Sequence, residues 1–235
     1  WRIYGGRGIE LAGFLAGLVN SSVAITELAN RNREAGGKMT HLVYRGAMLA
    51  TAAMLLRNAV LLGIFALPVL QAAALPFALM AITSIGLAFV RWRVNGESVP
   101  SGTLAIRMTL PFALGPTLRF GLIFMLLRIA GALGQMLLGK SGFLAVSVIS
   151  GFVSSASAVA SAATLASQGL VTPEVAGMGA VLASFASSLV HLPLIARVAA
   201  NRELTRRMAQ AVLLTLAIGA AGTILQTQLA GWLAR

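Results

Sequence analysis

Gly17-Leu18-Val19-Asn20-Ser21-Ser22-Val23-Ala24-Ile25 returns later in the chain as Gly151-Phe152-Val153-Ser154-Ser155-Ala156-Ser157-Ala158-Val159. The two phrases lie 134 residues apart (17 to 151, 20 to 154), and each sits inside a long apolar stretch. Small, polar interruptions at matched positions of two apolar halves are where membrane transporters place broken helices and their ligands.

The surroundings of the phrases decide the fold class. The chain has 235 residues, of which 58% are hydrophobic and 10% charged. A soluble domain carries about 25% charged residues. Apolar runs of membrane-spanning length recur from end to end. In lipid only helices and closed barrels satisfy their own backbone, and these runs lack the alternation of barrel strands. The expectation is an all-α polytopic membrane protein. Seven apolar segments can be marked, at roughly 8–30, 41–67, 69–90, 117–138, 142–168, 174–197 and 208–232. Pro68 and Pro76 are expected to bracket an uncharged turn. The stretch 98–116, with Pro100, Pro111 and Pro116, reads as an interfacial linker between a first repeat, 1–97, and a second, 117–235.

The duplication extends beyond the phrases. At the same offset Gly8 falls on Gly142, Ala50 on Ser184 and Arg57 on His191. Each half reads as a serine-centred segment followed by two long helices. The segment 117–138 leads the second copy, and its counterpart is expected upstream of Trp1.

Loop charges discriminate between topologies. If all seven segments span, the Arg197/Arg202/Arg206/Arg207 connection lands opposite the Arg31–Arg45 and Arg91–Arg107 connections, against the positive-inside rule. If the two serine-centred segments dip in and return, every basic cluster falls on one side, and the two repeats become inverted. Each re-entrant half-helix would then be about 10 residues, or 15 Å. Seven plain spans in parallel repeats, or broken helices that still span, are the alternatives. The charges favour the re-entrant form.

Composition excludes several functions. The net charge of +12 sits mostly in connecting loops, with no nucleic-acid motif beside it. It reports orientation and contact with lipid headgroups rather than nucleic acid. Cys and Asp are absent, and His41 and His191 are the only histidines. Disulfides, thiolate chemistry, paired-Asp cages and His-rich metal centres are therefore excluded. No nucleophile–base pair or acidic dyad points to an enzyme, and no cofactor is called for.

Three constellations remain. Asn20, Ser21 and Ser22, with Ser154, Ser155 and Ser157, favour caps and turns. Gly17 and Gly151 are expected to end the half-helix before each break as C-terminal caps. N–H groups opening the second half-helix would attract negative charge, and carbonyls ending the first would attract a cation. The competing reading is that Gly, Ala and Ser simply let helices pack closely. Next come the basic residues within apolar segments, Arg57, Arg128 and His191. A charge in hydrocarbon costs about 2.5–3.5 kcal/mol, so each should face protein or water. They read either as binding groups or as clamps on backbone carbonyls. Glu27 is the third candidate, facing either a bound cation or Arg31 four residues on.

The phrase Gly17 to Ser22, the Arg31-Asn32-Arg33-Glu34 run that follows, and the second phrase with Leu110-Pro111-Phe112 ahead of it resemble the membrane domain often found downstream of MgtC/SapB-type domains. The resemblance covers nearly the whole chain. It implies a bacterial inner-membrane protein linked to magnesium homeostasis, with transport presumed. Arg57 matches the family's arginine after the first phrase. Ser154 and Ala156 stand where that family often has Asp, and His191 where it often has Lys, which weakens a cation-site carry-over.

Together these readings predict a transporter or channel for a small solute or ion. Its site would be built from Asn20, Ser21, Ser22, Ser154, Ser155, Ser157, Arg57 and His191, with Glu27 and Arg128 as further candidates. An MgtC-associated regulatory or assembly subunit without flux is the alternative. The expected partners are the lipid bilayer and the small ion or solute, with an upstream MgtC-like domain and a second copy of the chain as further candidates.

Overall fold

A computed structural model of the chain describes residues 5–90 and 114–233. They form seven helices: α1 (Gly5–Glu34), α2 (Thr40–Phe65), α3 (Leu67–Phe89), α4 (Leu114–Val153), α5 (Ser155–Ser167), α6 (Pro173–Ala199) and α7 (Arg202–Leu233). All but α5 are long and apolar enough to cross a bilayer. The chain is thus a helical multi-pass membrane protein. At 1.5 Å per residue α5 is only about 20 Å long, short of a hydrocarbon core about 30 Å thick. Most of the interfacial linker expected at 98–116 lies outside the described residues.

Punctuation sets the helix ends. After α1, Gly36 takes a left-handed φ of 61°, its N–H bonding Arg33 O while that of Gly37 bonds Asn32 O. After α5, Gly169 takes φ 72°, its N–H bonding Ala166 O while that of Leu170 bonds Leu165 O. Both are the Schellman pattern, in which a glycine without Cβ strain satisfies the last carbonyls. The turn between α2 and α3 is at Ala66, ahead of Pro68, and Pro76 lies inside α3. The two prolines therefore do not bracket a turn: Pro68 fits the first turn of a helix, where its missing N–H costs nothing.

The residues group into two compact units. Unit 1 comprises Trp1–Met54, Ala81–Pro111 and Leu189–Thr215; unit 2 comprises Leu55–Met80, Phe112–Ser188 and Leu216–Arg235. Each draws on both halves of the sequence.

In unit 1, α1 packs on the first part of α2 through glycines. A Cβ at Gly17 would stand 2.5 Å from Ala50 Cα, and one at Gly13 would stand 2.8 Å from Gly46 O. Asn201, which caps α7 by accepting from Leu204 N–H at 3.0 Å, also donates to Thr40 Oγ1 at 3.2 Å. The connection before α2 therefore touches the connection before α7. Arg45 lies over the Phe89 ring, 5.1 Å from its centroid, and ties α2 to α3.

In unit 2, α4 turns at Gly139, whose φ of 58° and ψ of −146° suit only glycine. Residues 140–153 fold back on the preceding part of α4, and a Cβ at Gly134 would stand 3.0 Å from Gly142 O. Gly131 in turn neighbours both Phe143 and Leu165, which lie on the two arms flanking the second phrase. Within α3, Pro76 interrupts the backbone ladder. The Leu75 N–H donates to Gln226 Oε1 at 3.2 Å, and Gln226 Nε2 donates to Gln71 O at 3.0 Å. A side chain of α7 thus takes up two backbone groups beside the proline, and Gly222 and Gly219 let α7 approach Pro76 and Met80.

Candidate functional site at the two helix breaks

Both phrases break their helices at the same place. Asn20 interrupts α1 with φ −155° and ψ 102°, and Ser154 separates α4 from α5 with φ −164° and ψ 107°. The two residues stand at the offset of the two phrases, 134 apart (20 to 154). Each is extended, and each caps the helix that follows. Asn20 Oδ1 accepts from Val23 N–H at 3.2 Å, and Ser154 Oγ accepts from Ser157 N–H at 3.3 Å. A polar side chain that accepts from the third residue on is the usual N-cap device.

Gly17 and Gly151 do not cap. Both are helical, three residues before the break, and neither takes a left-handed φ. A Cβ at Gly17 would strike Ala50, and one at Gly151 would strike the Ala183 carbonyl. Their role is close approach of α1 to α2 and of α4 to α6. The packing alternative therefore holds for the glycines, whereas the polar residues make the break.

At the second break the first half-helix is bonded up to its last residue, Ser154 N–H donating to Ser150 O at 2.8 Å, and Ala158 N–H donates to Ser154 O at 3.0 Å. With Ser157 N–H taken by the cap, the N–H groups of Ser155 and Ala156 are the ones a helix start leaves without a helical acceptor. Both residues are buried.

Each break also meets a basic residue from the other half of the sequence. In unit 2, Arg57 Nη2 donates to Ser155 Oγ at 3.4 Å. In unit 1, His191 Nε2 lies 3.3 Å from Ser21 Oγ, and its Nδ1 lies 3.4 Å from Thr51 Oγ1. Ser155 stands 134 residues after Ser21, and His191 stands 134 residues after Arg57 (21 to 155, 57 to 191). The two contacts are thus the same contact exchanged between halves. Ser157 is buried and accepts from Ser154 Oγ at 3.1 Å, and Ser22 is half-buried, its carbonyl accepting from Thr26.

The remaining candidates lie away from the breaks. Glu27 pairs with Arg31 Nε at 2.9 Å. Arg128 donates to Gln168 Oε1 at 2.8 Å beyond the end of α5. Two polar residues were missed from the sequence. Thr51 holds His191; Asn58, wholly buried, donates from Nδ2 to Ser184 Oγ at 3.1 Å, while its Oδ1 is without a hydrogen-bond partner. The available signal was their polarity inside apolar segments, which is costly whether or not the group ionises. Among the described residues no cluster of three or more His, Cys, Asp or Glu is placed to hold a metal ion.

A family model described as a domain of unknown function (DUF4010) matches residues 1–199, and the chain belongs to that family. The description assigns no activity and no link to MgtC/SapB proteins. No curated protein and no solved structure matches the chain.

Proposed function

We infer that this member of the DUF4010 family is a transporter or channel for a small solute or ion, binding at the paired serine-rich breaks. The observation that carries the reading is the exchanged contact: Arg57 on Ser155 and His191 on Ser21, each at the first residue after a break. Packing alone asks for small residues at such places, not for a buried basic group on each.

The inverted, re-entrant arrangement is part of this proposal, and two observations support it. Thr40 and Asn201 bond each other, so the connections that contain them share a side of the membrane. Seven full spans put them on opposite sides; returning the second serine-centred segment removes the conflict. Phe143 and Leu165 both neighbour Gly131, although 22 residues of unbroken helix would separate them by about 33 Å. Charge agrees. In that arrangement Arg31, Arg33, Lys38, Arg45, Arg197 and Arg202 all fall on one side, with Lys140 and Glu174 on the other. Placing the basic connections in the cytoplasm orients the protein in a bacterial inner membrane.

The chemistry of the second break favours an anionic or neutral solute. It offers a guanidinium and helix-opening N–H groups, and no aspartate exists to build a hard-cation cage. The site works by binding, without a covalent step. The test is flux in proteoliposomes, with Mg²⁺ and small anions assayed separately. Anion flux that falls at least tenfold in Arg57→Ala supports the reading. The alternative, an MgtC-associated regulatory or assembly subunit in magnesium homeostasis, draws on the resemblance of the two phrases. Folded protein that moves neither class of ion favours it.

A further inference from the structure

The His191 ring is wholly buried and is engaged at both nitrogens. Its neighbours decide where its hydrogen sits. Thr51 Oγ1 donates to the Ala47 carbonyl at 3.0 Å. A hydroxyl has one hydrogen to give. Toward Nδ1, Thr51 can therefore only accept, and Nδ1 must carry the ring hydrogen. In the neutral ring Nε2 is then a bare acceptor, and the Ser21 hydroxyl donates to it. A single line of polarity runs from Ser21 through the imidazole and Thr51 to the Ala47 carbonyl.

The second break has the opposite polarity. A guanidinium only donates, so Ser155 accepts from Arg57, and its own hydrogen is not spent on that contact. The two mated serines thus differ in one respect: Ser21 spends its hydrogen on the basic residue, and Ser155 does not.

We propose that His191 is a proton-binding site whose occupancy sets the direction of the Ser21 hydroxyl. Binding takes one proton from water onto Nε2 and forms one N–H bond. The ring becomes a cation that donates from both nitrogens. Ser21 then turns about its Cβ–Oγ bond to accept, and its hydrogen is released toward the break. In that state Ser21 meets its basic neighbour as Ser155 meets Arg57. The polar groups facing the ring are Ser21 from α1 and Thr51 from α2, neither of them titratable. Among the described residues no charged or titratable side chain on the helices of unit 1 makes a hydrogen bond or ion pair to it: not Glu27, Arg31, Arg33 or Glu34 on α1, His41 or Arg45 on α2, Arg197 on α6, nor Arg202, Glu203, Arg206 or Arg207 on α7. The ring is therefore switched by the proton itself, not by a neighbouring carboxylate. The assignment stands on these contacts and does not depend on the transport reading.

Imidazole ¹⁵N chemical shifts test it in the full chain, reconstituted in nanodiscs. A His41→Gln background leaves His191 as the only signal. Expected at neutral pH is the neutral Nδ1–H tautomer. Thr51→Val removes its acceptor and shifts the ring toward Nε2–H. Thr51→Ser keeps the hydroxyl and keeps the tautomer, which separates this effect from misfolding. Ser21→Ala leaves Nδ1–H in place, because Thr51 sets it. Acidification of the folded protein brings the imidazolium pair of shifts. A neutral Nε2–H tautomer in the unaltered background overturns the polarity. A ring that stays neutral until circular dichroism reports unfolding overturns the proton site. Flux plays no part in either readout.

Discussion

The break at Asn20 and the break at Ser154 share a backbone conformation and a cap but not an environment. Val23, which Asn20 caps, is 63% exposed, whereas its mate Ser157 is 0% exposed. Asn20 itself is exposed and Ser154 half-buried. A conformation that survives such a change of surroundings is set locally. The polar side chain competes for backbone N–H groups and ends the helix wherever it stands. Burial then decides what the break can do. The second keeps a permanent cation beside its buried start, and the first keeps an imidazole that can be neutral.

The comparison breaks most completely on topology. Gly36 follows α1 and Gly169 follows α5, and the chain has no native cysteine. Gly36→Cys and Gly169→Cys should label from opposite sides of the membrane with an impermeant thiol reagent. Labelling of both from one side would end the inverted reading. Next in size are the packing glycines. Gly17→Ala and Gly151→Ala each drive a methyl group into backbone or Cα atoms that cannot give way. Each should cost about 3 kcal/mol or more, read as loss of folded yield and a lowered Tm in detergent. If only one is damaging, the two breaks are not packed alike.

Exchanging the basic residues is the finer probe. His191→Arg brings a larger, permanent charge into a wholly buried position whose described contacts are two hydroxyls. A destabilisation of about 3 kcal/mol is expected. Arg57→His, at a half-buried position, should cost about 1 kcal/mol. Chemical unfolding monitored by tryptophan fluorescence compares the two, and equal costs would mean the environments are equivalent after all. The smallest effects belong to the caps. Asn20→Ala and Ser154→Ala should each cost about 1 kcal/mol. Asn20→Ser and Ser154→Asn should fall within about 0.5 kcal/mol of the unaltered chain, because either side chain can accept from the same N–H.

The sequence was most legible where one physical cause dominates. Apolar runs of spanning length placed the helices, with α7 starting at Arg202 rather than near 208, and the break expected inside 142–168 falls at Ser154. The serine phrases located both breaks, and the 134-residue offset relates Arg57 to His191. Gly17 and Gly151 were misread because a glycine ahead of a polar residue fits a cap and a close approach equally well. Only the partner, Ala50 or Ala183, separates the two. The turn at Gly139 falls in the gap between the expected segments 117–138 and 142–168, where Gly139, Lys140 and Ser141 end the apolar run. Thr51 and Asn58 carry no charge and belong to neither serine phrase, although burying an amide or a hydroxyl also demands a partner.

Gln226 carries a consequence for how the protein is made. It supplies hydrogen-bonding partners to α3 from 151 residues further along the chain. Until α7 is synthesised and inserted, the N–H of Leu75 and the carbonyl of Gln71 must find other partners or face lipid, where an unsatisfied group costs several kcal/mol. The hydrogen bonds of Gln226 beside Pro76 thus form late. A ribosome stalled before residue 226 would leave α3 in the membrane with its final geometry still owed by a helix not yet made.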